Sequence, residues 1–263
     1  MSTPSPLKIQ CNVVFSLFIR ELKTRFGKYR LGYFWAIFDP ISHVLIISFL
    51  YVKGFRASSI AGIPAPMLVL TGIVPFDLFR LITISSLKSY DANKGLFTYR
   101  RVKPSDDVIA RILLEVLISI SVFILLLVVF SYFGYFTDLH NLLGALSAFG
   151  LLVVFSAGLG FIASVIGPNY PELAKLVPLM VRPLYWISGI FYAADSIPES
   201  LRKYLLINPL LHVTDLIRAN LFGSFTSTSA SFTYLFFTAF LTFFFGLSYY
   251  RINRFDVITS KNR

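Results

Sequence analysis

The chain has 263 residues, of which 56% are hydrophobic and only 14% charged, with a mean hydropathy of +0.72. A soluble domain carries about 25% charged residues, so this composition excludes a water-clothed globule and indicates an integral membrane protein. The formal charge of +11 does not signal nucleic acid, because no soluble domain is left to present a basic face; Lys and Arg gather instead in short cytoplasmic loops. Cys11 is the one cysteine, which excludes an intramolecular disulfide framework.

Residues 1–33 read as an interfacial helix. Cys11, Phe15, Phe18, Leu22, Phe26 and Tyr29 share one face at helical spacing, and Ser16, Arg20, Lys23, Gly27 and Arg30 the other. Such a helix lies in the membrane plane with Arg20, Lys23 and Arg30 toward lipid headgroups. Arg25 interrupts the apolar face and sets that edge against protein. The stretch lacks the short apolar core and cleavage site of a secretory signal.

A single transmembrane domain is expected over 34–263. Runs of about 20 apolar residues cross the hydrocarbon layer, and 34–52, 67–87, 108–133 and 142–166 qualify. In the first, Asp39 and His43 stand at the spacing of a local hydrogen bond; a lone His is a poor metal ligand, so no metal site is expected. The second carries Asp77 and Arg80, and the third Arg111 and Glu115, each spaced as a neutralising same-face pair. Between them, 88–107 forms a loop in which 91–99 makes a short helix capped by Asp91, and Pro104 terminates the segment after that helix. A fifth span, 173–191, is broken by Pro178 and Pro183. The next stretch, 195–222, is apolar yet split at Asn208-Pro209, so neither half reaches across the membrane; two short re-entrant helices satisfy it. Residues 234–250 close a set of about six spans, and no internal repeat is visible.

The Lys and Arg count sets orientation. Lys8 to Arg30, Lys88 to Lys103, Lys175 and the cations from Arg251 onward lie on one side, against Lys53, Arg56, Arg202, Lys203 and Arg218 on the other. Both termini are therefore expected in the cytoplasm. The aromatic residues Tyr33, Phe34 and Trp35, then Tyr185, Trp186, Phe191 and Tyr192, are denser than an interfacial belt requires. Flat sugar faces pack on such rings, and a channel lined by them lets a polymer slide. The phosphate-cradling signature G-x-x-x-x-G-K-[ST] is absent, so the chain cannot itself cradle nucleotide phosphates, and any ATP and Mg it depends on would be held by a separate chain.

Four segments together carry a family likeness: RELKTRFGKYRLGYFWAIFDP at 20–40, NKGLFTYRRVKP at 93–104, YPELAK at 170–175 and LLINPLLHV at 205–213. The chain resembles the membrane subunit of ABC-2-type exporters, and among them the inner-membrane permease of Gram-negative capsular-polysaccharide exporters. The resemblance implies an all-α fold with an N-terminal interfacial helix and re-entrant periplasmic helices before the last span. It implies a homodimer enclosing one channel, two copies of a cytoplasmic ABC ATPase, and periplasmic adaptor and outer-membrane export proteins. The cargo it implies is a lipid-linked acidic polysaccharide. Asn93, Gly95, Leu96, Phe97, Tyr99 and Arg100 would couple to the ATPase, and Asn208, Pro209 and His212 would form the outer gate. Competing readings are an exporter of the same architecture for O-antigen, teichoic acid or a small hydrophobic molecule, and a membrane-embedded acyl- or glycosyltransferase.

Overall fold

The computed structural model describes residues 5–27, 32–54, 59–60, 62–93, 95, 97, 102–135 and 139–259. Within them it is helical almost throughout. The α-helices are α1 (Pro6–Phe26), α2 (Gly32–Phe49), α3 (Ala65–Leu87), α4 (Ser89–Asn93), α5 (Pro104–Tyr132), α6 (Leu142–Asn169), α7 (Pro171–Ile187), α8 (Glu199–Leu205), α9 (Pro209–Leu221) and α10 (Phe232–Thr259). A two-residue antiparallel hairpin, β1 (Ser59–Ile60) and β2 (Ile63–Pro64), joins α2 to α3, with Gly62 at φ 80° in its turn.

The core is built around α3. Its sequence is apolar on all sides, and a helix of that kind belongs inside protein; from Ala65 to Phe79 every residue is buried. Helices α2, α5, α6, α7 and α9 surround it. On α5 two stripes separate: Ile112, Glu115, Ser119, Val122, Leu126 and Phe130 turn inward, while Ile109, Leu113, Leu117, Ile120, Ile124 and Val128 are exposed. An apolar outer stripe with polar residues inside is the pattern of a helix solvated by hydrocarbon.

Helices α6 and α10 pack backbone to backbone. A Cβ on Gly246 would stand 2.1 Å from the Gly158 carbonyl oxygen, and one on Gly158 would stand 2.6 Å from Phe243 N. Small residues permit such approach where no hydrophobic force draws helices together.

Among the described residues, five helices are long and apolar enough to cross a membrane: 34–53, 65–87, 104–132, 142–169 and 232–254. The expected fifth span is instead the 17-residue α7, which runs unbroken through Pro178 and Pro183. At 1.5 Å per residue it measures about 25 Å, short of the roughly 30 Å hydrocarbon layer.

Other expectations are corrected. Pro104 does not end a helix; it opens α5, where a missing N–H costs nothing. The short loop helix is 89–93 and begins before Asp91. In α1, Cys11 and Phe15 are exposed, whereas Gln10, Leu17, Glu21 and Arg25 meet the rest of the protein. The inward face of α1 is therefore polar, because α5 offers it acids and a cation.

Candidate functional site

Two adjoining cavities, each about 520 Å³, open between α2, α3, α5 and α7 and share His43, Asp77 and Arg80. The first is also lined by Arg25, Trp35, Asp39, Glu115 and Ser119; the second by Phe76, Pro178, Arg182, Tyr185 and Trp186. Asp77 accepts from Arg80 Nε at 3.0 Å and lies 2.8 Å from Arg80 Nη2, the expected pair. His43 does not bond Asp39. Its Nδ1 stands 3.7 Å from Asp77 Oδ2, and its Nε2 shares a hydrogen bond with the Tyr185 hydroxyl at 3.2 Å. The reason is packing: α3 and α7 bring fixed partners to His43. Around Tyr185, Phe76, Trp186 and Phe191 stand edge-on at centroid distances of 5.3, 5.5 and 5.4 Å.

At the α1 end, Arg111 and Glu115 are not partners. Arg111 pairs with Glu21 at 2.8 Å and with Asp107 at 3.0 Å, and Glu115 takes Arg25. Gln10 adds a hydrogen bond to Asp106. A four-residue spacing makes a pair reachable, but burial against α1 decides which cation neutralises which acid. Arg20 donates to the Ala92 carbonyl at 3.4 Å, so α1 also touches the end of α4. Lys23 is exposed. Phe97 turns inward to stack on Tyr90 at 5.3 Å, and Gly95 is exposed. Arg30, Leu96, Tyr99 and Arg100 lie outside the described residues, as do the side chains of Tyr33 and Asn93.

At the opposite end, α8 and α9 meet at Asn208-Pro209, as expected. Asn208 caps α9 by accepting from Leu210 N at 3.0 Å, and its amide donates to Ile187 O at 3.2 Å and Ser188 Oγ at 3.0 Å. Pro209 occupies the first helical turn. His212 Nδ1 accepts from Ser231 N at 3.0 Å, which leaves the ring hydrogen on Nε2 to donate to Leu206 O at 2.8 Å. Asp195 accepts from Thr228 N at 2.9 Å, Thr228 Oγ1 at 3.0 Å, Arg202 and Ser229. Burial pushes its carboxyl up, but these four donors outweigh burial and hold it below the usual carboxylate range.

A residue that the sequence presents only as a topological charge fixes this end. Arg218, fully buried, donates through Nε to Thr71 Oγ1 (3.1 Å), through Nη1 to Tyr192 O (2.8 Å) and Asp215 (3.3 Å), and through Nη2 to Leu68 O (2.9 Å) and Ile190 O (3.1 Å). Its donors are all satisfied. Gly72 makes the approach possible: a Cβ there would sit 2.7 Å from Ile190 Cα. Asp215 and Arg218 have the same three-residue spacing as Asp77 and Arg80, the one signal that could have marked them.

Of the aromatic residues expected at a channel, Trp35 lines the first cavity and Tyr185 and Trp186 the second. Phe34 is exposed on α2 and stacks on Phe38 at 5.0 Å. Phe191 stacks on Tyr51 at 5.8 Å, and Tyr192 turns its carbonyl to Arg218.

A helical membrane domain with a pair of short helices at one end and charged cavities in its wall fits a transporter subunit. The ABC-2 type transporter family matches residues 12–222, and the chain belongs to it. It is 40% identical over 257 residues to the polysialic acid transport protein KpsM of Escherichia coli, covering 97% of this chain and 99% of that one. The capsule polysaccharide export inner-membrane protein CtrC of Neisseria meningitidis serogroup B is 26% identical, covering 92% and 91%. BexB of Haemophilus influenzae, with the same description, is 28% identical, covering 87% and 86%.

Proposed function

We propose that the chain is the membrane permease of an ATP-driven exporter of capsular polysaccharide, an acidic, lipid-linked polymer. The observation that carries this is 40% identity maintained over essentially the whole length of both this chain and a polysialic acid transport protein. Two copies would enclose one passage in a bacterial inner membrane, with both termini in the cytoplasm as the distribution of Lys and Arg directs. A separate ABC ATPase, two copies per dimer, would hold ATP and Mg, and a periplasmic adaptor with an outer-membrane exporter would receive the polymer.

The geometry suits the task. The loop carrying α4 is where the ATPase would dock; Phe97 serves there by bracing Tyr90, so the contact falls to its neighbours. Motion of α4 reaches α1 through Arg20 and passes to α5 through the Glu21–Arg111 and Arg25–Glu115 pairs. Helices α8 and α9 would close the outer end between polymers.

The test is complementation. In a capsulated strain lacking its own permease, this chain with its cognate ATPase should restore surface polysaccharide. Intracellular polymer accumulating despite normal membrane levels of both proteins would overturn the reading.

A further inference from the structure

Arg182 sits well inside α7, flanked by Leu179, Met180, Val181 and Leu184. The other arginines of the cavity region are neutralised: Arg25 by Glu115, Arg80 by Asp77, Arg111 by Glu21 and Asp107. Among the described residues Arg182 makes no hydrogen bond or ion pair. It is exposed and lines the second cavity with Arg80, Asp77, His43, Tyr185 and Trp186. Since Asp77 and Arg80 cancel, Arg182 is the surplus charge of that cavity; Asp39 lines only the adjoining one.

A guanidinium at this depth is strongly disfavoured against lipid and belongs on a water-filled or protein-filled face. The exposed side of α7 that carries Arg182 opens on the second cavity, beside Asp77, Arg80 and His43. Along that side Lys175, Leu179, Arg182 and Trp186 recur at helical spacing. Lys175 is held by Glu172 at 3.1 Å, two turns and about 10 Å before Arg182. One turn beyond, the Trp186 ring is 64% exposed. A free guanidinium next to an open ring matches an acidic sugar, whose C–H face stacks on the ring while its carboxylate takes two N–H donors. A phosphate presents the same chemistry to the guanidinium.

We propose that Arg182, with Trp186 beside it, is a binding subsite for the oxyanions of the passing substrate, either the carboxylates of its sugars or the phosphate of its lipid anchor. This deepens the exporter reading and rests on it. Because the cavity holds one unneutralised cation, the subsite grips an anion once and releases it, which suits a polymer that must not stall.

The experiment uses the complex with its ATPase in lipid nanodiscs, in a Trp35→Phe background that leaves Trp186 as the only tryptophan of this chain, compared with the same complex carrying Trp186→Phe. The emission difference is titrated with a sialic-acid oligomer lacking lipid and, separately, with a water-soluble short-chain alkyl phosphate. At least one should alter Trp186 emission, with an apparent Kd about tenfold weaker for Arg182→Gln and only partly recovered for Arg182→Lys, which restores the charge but not the paired donors. High salt should weaken the response. A response to the oligomer alone assigns the sugar carboxylates; to the alkyl phosphate alone, the anchor; to both, any passing oxyanion. If neither probe acts, or if Arg182→Gln titrates like the parent, the subsite is wrong. Complementation separates the two levels: a parent chain that restores no capsule defeats the exporter reading. An Arg182→Gln chain restoring capsule at the parent rate defeats the subsite alone.

Discussion

Arg218 on α9 donates to the backbone carbonyl of Leu68 on α3 at 2.9 Å, joining residues 150 positions apart in sequence. The same guanidinium holds Ile190 O and Tyr192 O in the turn after α7, so three segments close on one side chain. The α8–α9 end is thereby fused to the most buried helix. In the proposed dimer, opening that end must separate the two protomers, because α9 cannot swing away from α3 without breaking these bonds.

Arg218→Ala should destabilise the protein by about 3 kcal/mol or more, because it strands a buried carboxylate at Asp215. Replacing both Arg218 with Met and Asp215 with Asn should cost less than the single change. Thermal unfolding in detergent reads the order, and a double variant less stable than Arg218→Ala would disprove the pairing.

Asp77→Ala should be worse than the joint replacement of Asp77 and Arg80 by uncharged residues. Arg80 is partly exposed, so the difference should be small, about 1 kcal/mol. His43→Gln should add little in the double variant, since its Asp77 contact is already gone and a glutamine amide can still meet the Tyr185 hydroxyl. Midpoint shifts in chemical unfolding measure all three.

The long spans were legible in the sequence as apolar runs of membrane length, and the α8–α9 pair as an apolar stretch interrupted at Asn208-Pro209. Spacing alone misassigned Arg111 with Glu115 and Asp39 with His43, because it reports only which groups on one helix can reach each other. Apart from Asp107, one turn before Arg111 on α5, the actual partners arrive from α1, α3 and α7, at sequence distances no local pattern records. Arg182 escaped notice inside an apolar run that already counted as a span. Arg218 was read as a topological charge because its burial depends on Gly72, which shows no signal of its own.

The α1–α5 pairing predicts a charge-swap rescue. Arg25→Glu and Glu115→Arg should each reduce export and membrane abundance, since each places like charges together inside protein. Together they should recover most of the loss. Capsule yield per unit of membrane protein is the measure, and additive losses would show that the two side chains act separately.

Acid should loosen the loop before α10. The carboxyl of Asp195 is held below its ordinary value by donors from Thr228, Ser229 and Arg202. A depressed acid contributes stability that is fully present above the unfolded pKa of about 3.9 and is lost as pH falls through the folded value. Protease sensitivity of 224–231 should therefore stay constant from pH 7 to about pH 5 and rise only below about pH 4. Asp195→Asn should show the raised sensitivity at every pH. Loosening that begins near neutrality would implicate another group.

The glycine contact between α6 and α10 bears on how the protein is made. Helix α10 leaves the ribosome after α6 is already in the bilayer, so lipid tails occupy the groove at Gly158 first. The late helix must displace them and settle within van der Waals reach of bare backbone, a step open to few side chains. A mutation at Gly246 would then act during biogenesis, leaving a half-assembled protomer for membrane proteases to remove before any polymer arrives.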